Sequence, residues 1–283
     1  MSEQPALVTP GRTRVIQPSG RWRGPDMPEL YEYRNLFFFL VWRDIKVRYA
    51  QTVMGAGWAI IQPIMQMVVF TLIFGNFASV PSDGIPYPIF SLAALVPWTY
   101  FSTALAGSSG SLVSNPSLVT KIYFPRLVIP FAPVLAGLVD FAISFVILIL
   151  MLVAFGMAPS LTALVAVPVT MLVALMTVSG TGCWLAALNI KYRDVKHVVP
   201  FLTQIWMYMS PIVYPVSLVP EHLRPIYALN PMVGVIEGFR AGMLGHMEVP
   251  WWMIGMSLGS GALLLVTGMF YFRKTESTFA DVA

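Results

Sequence analysis

The stretch VLAGLVDFAISFVILILMLVAF, residues 134–155, decides the fold. A helix crossing the hydrocarbon core of a bilayer needs ~20 predominantly apolar residues, and this run supplies them with Asp140 as its single charge. The other structure that crosses a membrane, a closed β-barrel, alternates apolar and polar side chains along short strands. Residues 141–155 show no such alternation, so the segment reads as a membrane helix. Five further runs of the same kind lie at residues 58–77, 89–113, 161–188, 198–216 and 251–272. The composition agrees: 57% hydrophobic and 11% charged residues, with a mean hydropathy of +0.73, exclude a soluble globular domain.

Charge then sets the orientation. Arg12, Arg14, Arg21, Arg23, Arg34, Arg43, Lys46 and Arg48 precede the first span. Lys121 and Arg126 lie between the second and third, Lys191, Arg193 and Lys196 between the fourth and fifth, and Arg273 and Lys274 after the last. Only Arg224 and Arg240 fall on the opposite side. The positive-inside rule puts both termini in the cytoplasm. The net charge of +4 is this bias, and implies no nucleic-acid partner. The expected class is an all-α integral membrane protein with six transmembrane helices, an N-terminal interfacial amphipathic helix, and two short outer helices before the last span. Residues 1–28 are polar, rich in Pro and Arg, lack a signal-peptide core, and are expected to be disordered. Residues 29–49 are expected to form the interfacial helix, and residues 50–283 the membrane domain.

Three connecting segments have character of their own. Residues 29–49 (ELYEYRNLFFFLVWRDIKVRY) join a short aromatic run to flanking charges, which suits a helix lying in the headgroup plane. Residues 115–126 (NPSLVTKIYFPR) read as a short helix or a structured turn, with Asn115 as N-cap, Pro116 in the first position and Pro125 as a stop. Residues 217–250 hold an apolar piece, residues 232–244, that is too short to cross; Asn230 caps it and Gly245 closes it.

Catalytic and energy-coupling chemistry is sparse. None of the five lysines follows a Gly, so no GxxxxGK[ST] phosphate loop exists. His197, His222 and His246 lack metal-ligand spacing, and the lone Cys183 lies within the fourth span, where a small buried hydrophobe is the bland reading. Asp140 is the one charge well inside a span: either a relay group or a carboxylate hydrogen-bonded to Ser or Thr of a neighbouring span, with the second reading preferred. Glu237 and Arg240, at i and i+3, read as a local ion pair. Aromatics mark the second span (Trp98, Tyr100, Phe101) and the fifth, where Phe201, Gln204 and Tyr208 share one helical face. Such an aromatic and amide face suits stacking and hydrogen bonding to sugars, and equally suits lipid or interhelical packing.

The segments RDIKVRYAQ (43–51), MGAGWAIIQP (54–63), FPRLVIP (124–130), NIKYRDVKH (189–197), LNP (229–231) with Arg240, and FRKTESTFADV (272–282) together resemble the membrane subunits of type-2 ABC exporters. The likeness is strongest to those exporting O-antigen, capsule or teichoic-acid polysaccharides. The resemblance implies a homodimer in a bacterial cytoplasmic membrane, with two separate ATP-binding cassette subunits that hold ATP and Mg. No cofactor or metal is expected in this chain, and no catalysis. It further implies that Asn115, Pro116, Ser117, Leu118, Lys121 and Tyr123 form a coupling helix against the ATPase, aided by Glu29 and Glu32. Arg43, Lys46 and Arg48 would meet a lipid-pyrophosphate headgroup; Trp98, Tyr100, Phe201, Gln204 and Tyr208 would line the channel; Asn230, Glu237 and Arg240 would belong to an outer gate. The rival readings are an exporter of a drug or lipid and a membrane-embedded enzyme of glycan assembly.

Overall fold

A computed structural model of the chain describes residues 27–50, 57–121, 124–192, 194–245, 247–276 and 279. Regular structure among them is entirely helical. Helices α1 (Met27–Glu32) and α2 (Arg34–Tyr49) precede α3 (Gly57–Phe70), which continues as π-helical turns through Thr71–Phe77. Next come α4 (Tyr87–Ser114), α5 (Pro116–Lys121), α6 (Val128–Ala154) and α7 (Ala163–Lys191). The remainder is α8 (Val195–Tyr208), two 3-10 turns at Val216–Leu218 and Glu221–Leu223, α9 (Arg224–Tyr227), α10 (Pro231–Leu244) and α11 (Trp251–Glu276).

Local chemistry sets the ends of these helices. Asn115 stops α4 because it precedes Pro116, whose ring disfavours helical backbone in the residue before it. Gly156, at φ 69°, closes α6: its N–H donates to Val153 and that of Met157 to Leu152, the two bonds of a left-handed helix cap. Asn230 accepts from the Met232 N–H and Pro231 takes the first position of α10.

Among the described residues five helices are long and apolar enough to cross a membrane: α3 with its π-helical extension, α4, α6, α7 and α11. The expected fifth run, residues 198–216, is where the structure departs from the sequence pattern. Its helix α8 has 14 residues, ~21 Å at 1.5 Å per residue, short of the ~30 Å hydrocarbon core. Beyond Tyr208 the chain turns irregular at Ser210 and Pro211, where a ring without an N–H cannot extend the ladder. Ser210, Ile212, Val213 and Val216 are all buried in protein, the condition under which non-helical backbone persists at membrane depth.

Helix α4 is the centre of the bundle. Of its most apolar window 78% is buried, against 11% for α3 with its extension, which lies at the rim. Helix α4 packs against α3, α6, α7, α8 and α10, while α11 lies along α7 and α10. The α7–α11 contact is backbone to backbone: a Cβ on Gly180 or Gly268 would overlap the main chain of the facing helix. Helix α2 lies beside α6, burying Leu40 against Phe124, Leu127 and Val128. It does not segregate polar from apolar side chains as an amphipathic helix would. Phe38, Phe39, Trp42 and Val47 are exposed while Leu40 is buried.

Candidate functional site

The bundle has two ends. One carries Arg126, Lys191, Lys196, Arg273 and Lys274, and is called here the basic end; the other carries the hairpin of α9 and α10. Helix α8 starts at the basic end, and its distal turn is held by the hairpin.

Two side chains of the hairpin bind the broken end of α8. Asn230 accepts from Trp206 Nε1 at 2.7 Å while its amide donates to the Met209 carbonyl at 3.0 Å and to Ser210 Oγ at 3.1 Å. Arg240 is wholly buried. Its Nη1 donates to Glu237 Oε1 at 2.6 Å and its Nη2 to the carbonyls of Pro211 at 2.7 Å and Ile212 at 3.3 Å. Its guanidinium lies 3.8 Å from the centre of the Phe90 ring on α4. The carbonyls freed by the helix break thus find donors on another helix, which is why the break is stable. Burial pushes the Glu237 carboxyl above the usual range, opposed by Arg240 and by the Val216 backbone. The expected local ion pair exists, and it also braces the end of α8.

Beside this lock a cleft of about 270 Å³ separates α4 from α8, lined by Trp98, Ser102, Ala106, Pro200, Thr203 and Gln204, among others. Phe201 and Tyr208 stand exposed on the same helix, at 64% and 54%. Of the expected channel residues, Trp98 and Gln204 therefore meet in one cleft and Phe201 and Tyr208 flank it. Tyr100 lies elsewhere. It is 1% exposed, donates to the Val134 carbonyl at 3.2 Å and packs edge-on against Phe141, inside the bundle. Trp206, absent from the expected set, joins Phe101 (ring centres 4.9 Å apart) to the Asn230 lock. Its position two residues after Gln204 puts it off the Phe201–Gln204–Tyr208 face.

The three expected headgroup cations have different surroundings. Arg43 pairs with Asp44 at 2.9 Å. Arg48 pairs with Asp140, which also accepts from the Tyr49 hydroxyl. Lys46 is exposed and sits 5.5 Å from the Trp42 ring centre. Asp140 is thus satisfied from α2, 91 and 92 residues away in sequence, and not by a hydroxyl of a neighbouring span as expected. A carboxylate at mid-helix in α6 finds its counter-ion at the end of α2, so α2 reaches well along α6.

At the basic end, α5 is helical as one of the two readings of residues 115–126 expected. The Asn115 side-chain amide donates backwards to the Ser111 carbonyl at 2.8 Å. Pro116 and Ser117 are exposed and Leu118 is half-buried. Glu32 ends α1 and is exposed; the side chains of Glu29 and Lys121, and all of Tyr123 and residues 1–26, lie outside the described residues.

Fold and site together define a multi-pass helical membrane protein with a buried hairpin braced against an interrupted helix. Residues 35–244 match the family described as ABC-2 type transporter. An O-antigen export system permease protein, RfbA, of Myxococcus xanthus is 34% identical over 221 residues, 77% of this chain and 84% of that protein. Its namesake in Klebsiella pneumoniae is 28% identical over 88% of this chain and 95% of its own. The polysialic acid transport protein KpsM of Escherichia coli is 25% identical over 81% and 87%. The chain belongs to the ABC-2 type transporter family.

Proposed function

We propose that this chain is the membrane subunit of an ATP-driven exporter that moves a lipid-pyrophosphate-linked polysaccharide across the bacterial cytoplasmic membrane. Two copies form the passage, and two separate ATP-binding subunits dock at the basic end, which faces the cytoplasm together with both termini. Relatives named for O-antigen and polysialic acid transport, matched over most of their length, support the cargo class. The sixth crossing is made by α8 together with the buried irregular stretch after it, which carries the chain from Lys196 to the outer hairpin. That route keeps an even number of crossings, as the distribution of Lys and Arg requires.

The observation that carries the reading is the face of α8. Phe201 and Tyr208 stay exposed beside Gln204 and the α4 cleft, and the rim helix α3 with its π-helical extension exposes Trp58, Met65 and Leu72. A second copy would cover the apolar α3 and α8 surfaces, and the aromatic rings with one amide would offer sugars stacking and hydrogen bonds. Closure of the ATP-binding subunits would act on α5, parting the two copies along α3 and α8. The lipid headgroup would meet Lys46, the one of the three cations that is exposed and, among the described residues, unpaired with a carboxylate. No bond is made or broken in this chain.

Replacing Phe201, Gln204 and Tyr208 together with Ala tests the passage. Surface glycan should fall while the dimer and the ATP-binding subunit are retained, since none of the three side chains is buried in the fold. Unchanged glycan export with a normally folded triple variant would remove α8 from the passage.

A further inference from the structure

Two of the stretches that carry the family resemblance, residues 124–130 (FPRLVIP) and 272–282 (FRKTESTFADV), have no role in the reading above, and in the structure Phe272, Glu276 and Phe279 of the second meet the first. Phe272 and Glu276, at i and i+4, share one face of the last turns of α11, and Phe279 lies three residues beyond the end of that helix. Phe279 is completely buried, and its ring packs edge-on to Phe272 at 5.2 Å. The cluster it closes draws from α2 (Leu40), α4 (Leu112), the α5–α6 loop (Phe124, Leu127) and α7 (Cys183, Ala187). Beside this plug the two helix ends cap one another. The Arg126 N–H, at the entrance to α6, donates to Glu276 Oε1 at 3.3 Å, and Arg126 Nη1 donates to the Glu276 carbonyl in the last turn of α11 at 2.7 Å. A carboxylate at a helix N-terminus and a guanidinium at a helix C-terminus are each the favourable sign for the helix dipole.

We propose that the end of α11 is a clasp that positions the coupling helix, with Arg126, Glu276 and Phe279 as positioning residues. The proposal rests on the reading of α5 as the contact for an ATP-binding subunit. Phe124 follows α5 closely in the chain, so anchoring Phe124–Leu127 to α11 limits how far α5 shifts without taking α11 with it. At its other end α11 is bonded to the hairpin: Ser257 Oγ accepts from the Gly234 N–H of α10 at 3.0 Å and donates to the Ala228 carbonyl at 3.3 Å. A push on α5 is thereby handed to a helix of 26 residues, ~39 Å long, whose far end holds α10. Packed helices transmit such displacements as rigid bodies.

The test uses the full chain, co-expressed with its ATP-binding subunit and reconstituted in nanodiscs and proteoliposomes. Spin labels at Ser117→Cys and Lys274→Cys read the α5–α11 distance; the native Cys183 is buried and stays unlabelled. The distance distribution is expected to be narrow in the otherwise unchanged chain and in Glu276→Gln, which keeps the accepting oxygen, and broad in Phe279→Ala and Glu276→Ala. The two alanine variants should retain the ATP-binding subunit and hydrolyse ATP, while export per ATP falls about tenfold, within the ordinary range of coupling between sites. A narrow distribution in both alanine variants, or a loss of hydrolysis and export in proportion, overturns the clasp. If the unaltered chain retains no ATP-binding subunit, the exporter reading falls, and the distances alone still decide whether α11 holds α5.

Discussion

Replacing Arg240 with Met should cost more stability than any other single change at the hairpin end. The side chain is wholly buried and serves Glu237, two main-chain carbonyls and the Phe90 ring. Met fills a similar volume but leaves Glu237 without its cation, and breaking a buried pair from one side costs about 3–5 kcal/mol. The carbonyls of Pro211 and Ile212 lose their donors as well, at about 1–3 kcal/mol for a buried group left unsatisfied. Removing both charges in Arg240→Met/Glu237→Gln lifts the first penalty and keeps the second. The double variant should therefore be more stable than Arg240→Met alone, although it carries one more substitution. Thermal melting of detergent-purified protein reads the difference, with the single variant lowered on the order of 10 °C. The pH dependence supplies a second signature. Burial already raises Glu237, and without Arg240 the opposing charge is gone. A carboxyl whose folded pKa exceeds its unfolded value costs stability as pH rises above the unfolded value, and the cost is relieved as pH falls back through the raised folded value. Arg240→Met should accordingly regain part of its loss when the pH is lowered toward the ordinary Glu value of 4.5. A double variant less stable than the single one, or a single variant that melts like the parent, would refute the assignment of Arg240 as the brace of the α8 break.

Two further outcomes follow from the same contacts. Asn230→Ala removes a helix cap worth about 1 kcal/mol and three bonds to the end of α8; Trp206 fluorescence should shift as its indole loses its acceptor, whereas Asn230→Asp, which keeps an accepting oxygen, should leave it nearer the parent. Asp140→Ala leaves Arg48 without its carboxylate beside α6, so limited trypsin digestion should cut within α2 faster than in the parent, and equal rates would mean that the pair does not hold α2.

The parts of the fold that were legible from sequence are those governed by neighbours in the chain. The cap and stop of α10 needed only Asn230, Pro231 and Gly245, and five long apolar runs required no partner to be recognised as α3 with its extension, α4, α6, α7 and α11. The end of α8 was opaque because an apolar run looks the same whether it stays helical or breaks, and its break is made tolerable by Arg240, 28 and 29 residues further on. Which aromatics face a passage was equally hidden: α4 is apolar on all sides, so no periodicity separates Trp98, which lines the cleft, from Tyr100, which is buried inside the bundle. Asp140 was visible as an anomaly, but its partners lie at the end of α2 and no local pattern names them. The tail, residues 272–282, was recognisable from sequence only as part of the resemblance, and only the folded chain brings Glu276 to Arg126.

Isolating the protein from its native membrane under conditions that keep membrane complexes together tests the central claim most directly. The account predicts an ATP-binding subunit in stoichiometric amount, lost when residues 115–123 are scrambled in a chain that still folds and inserts. Recovery of the intact protein without any ATP-binding subunit would contradict it.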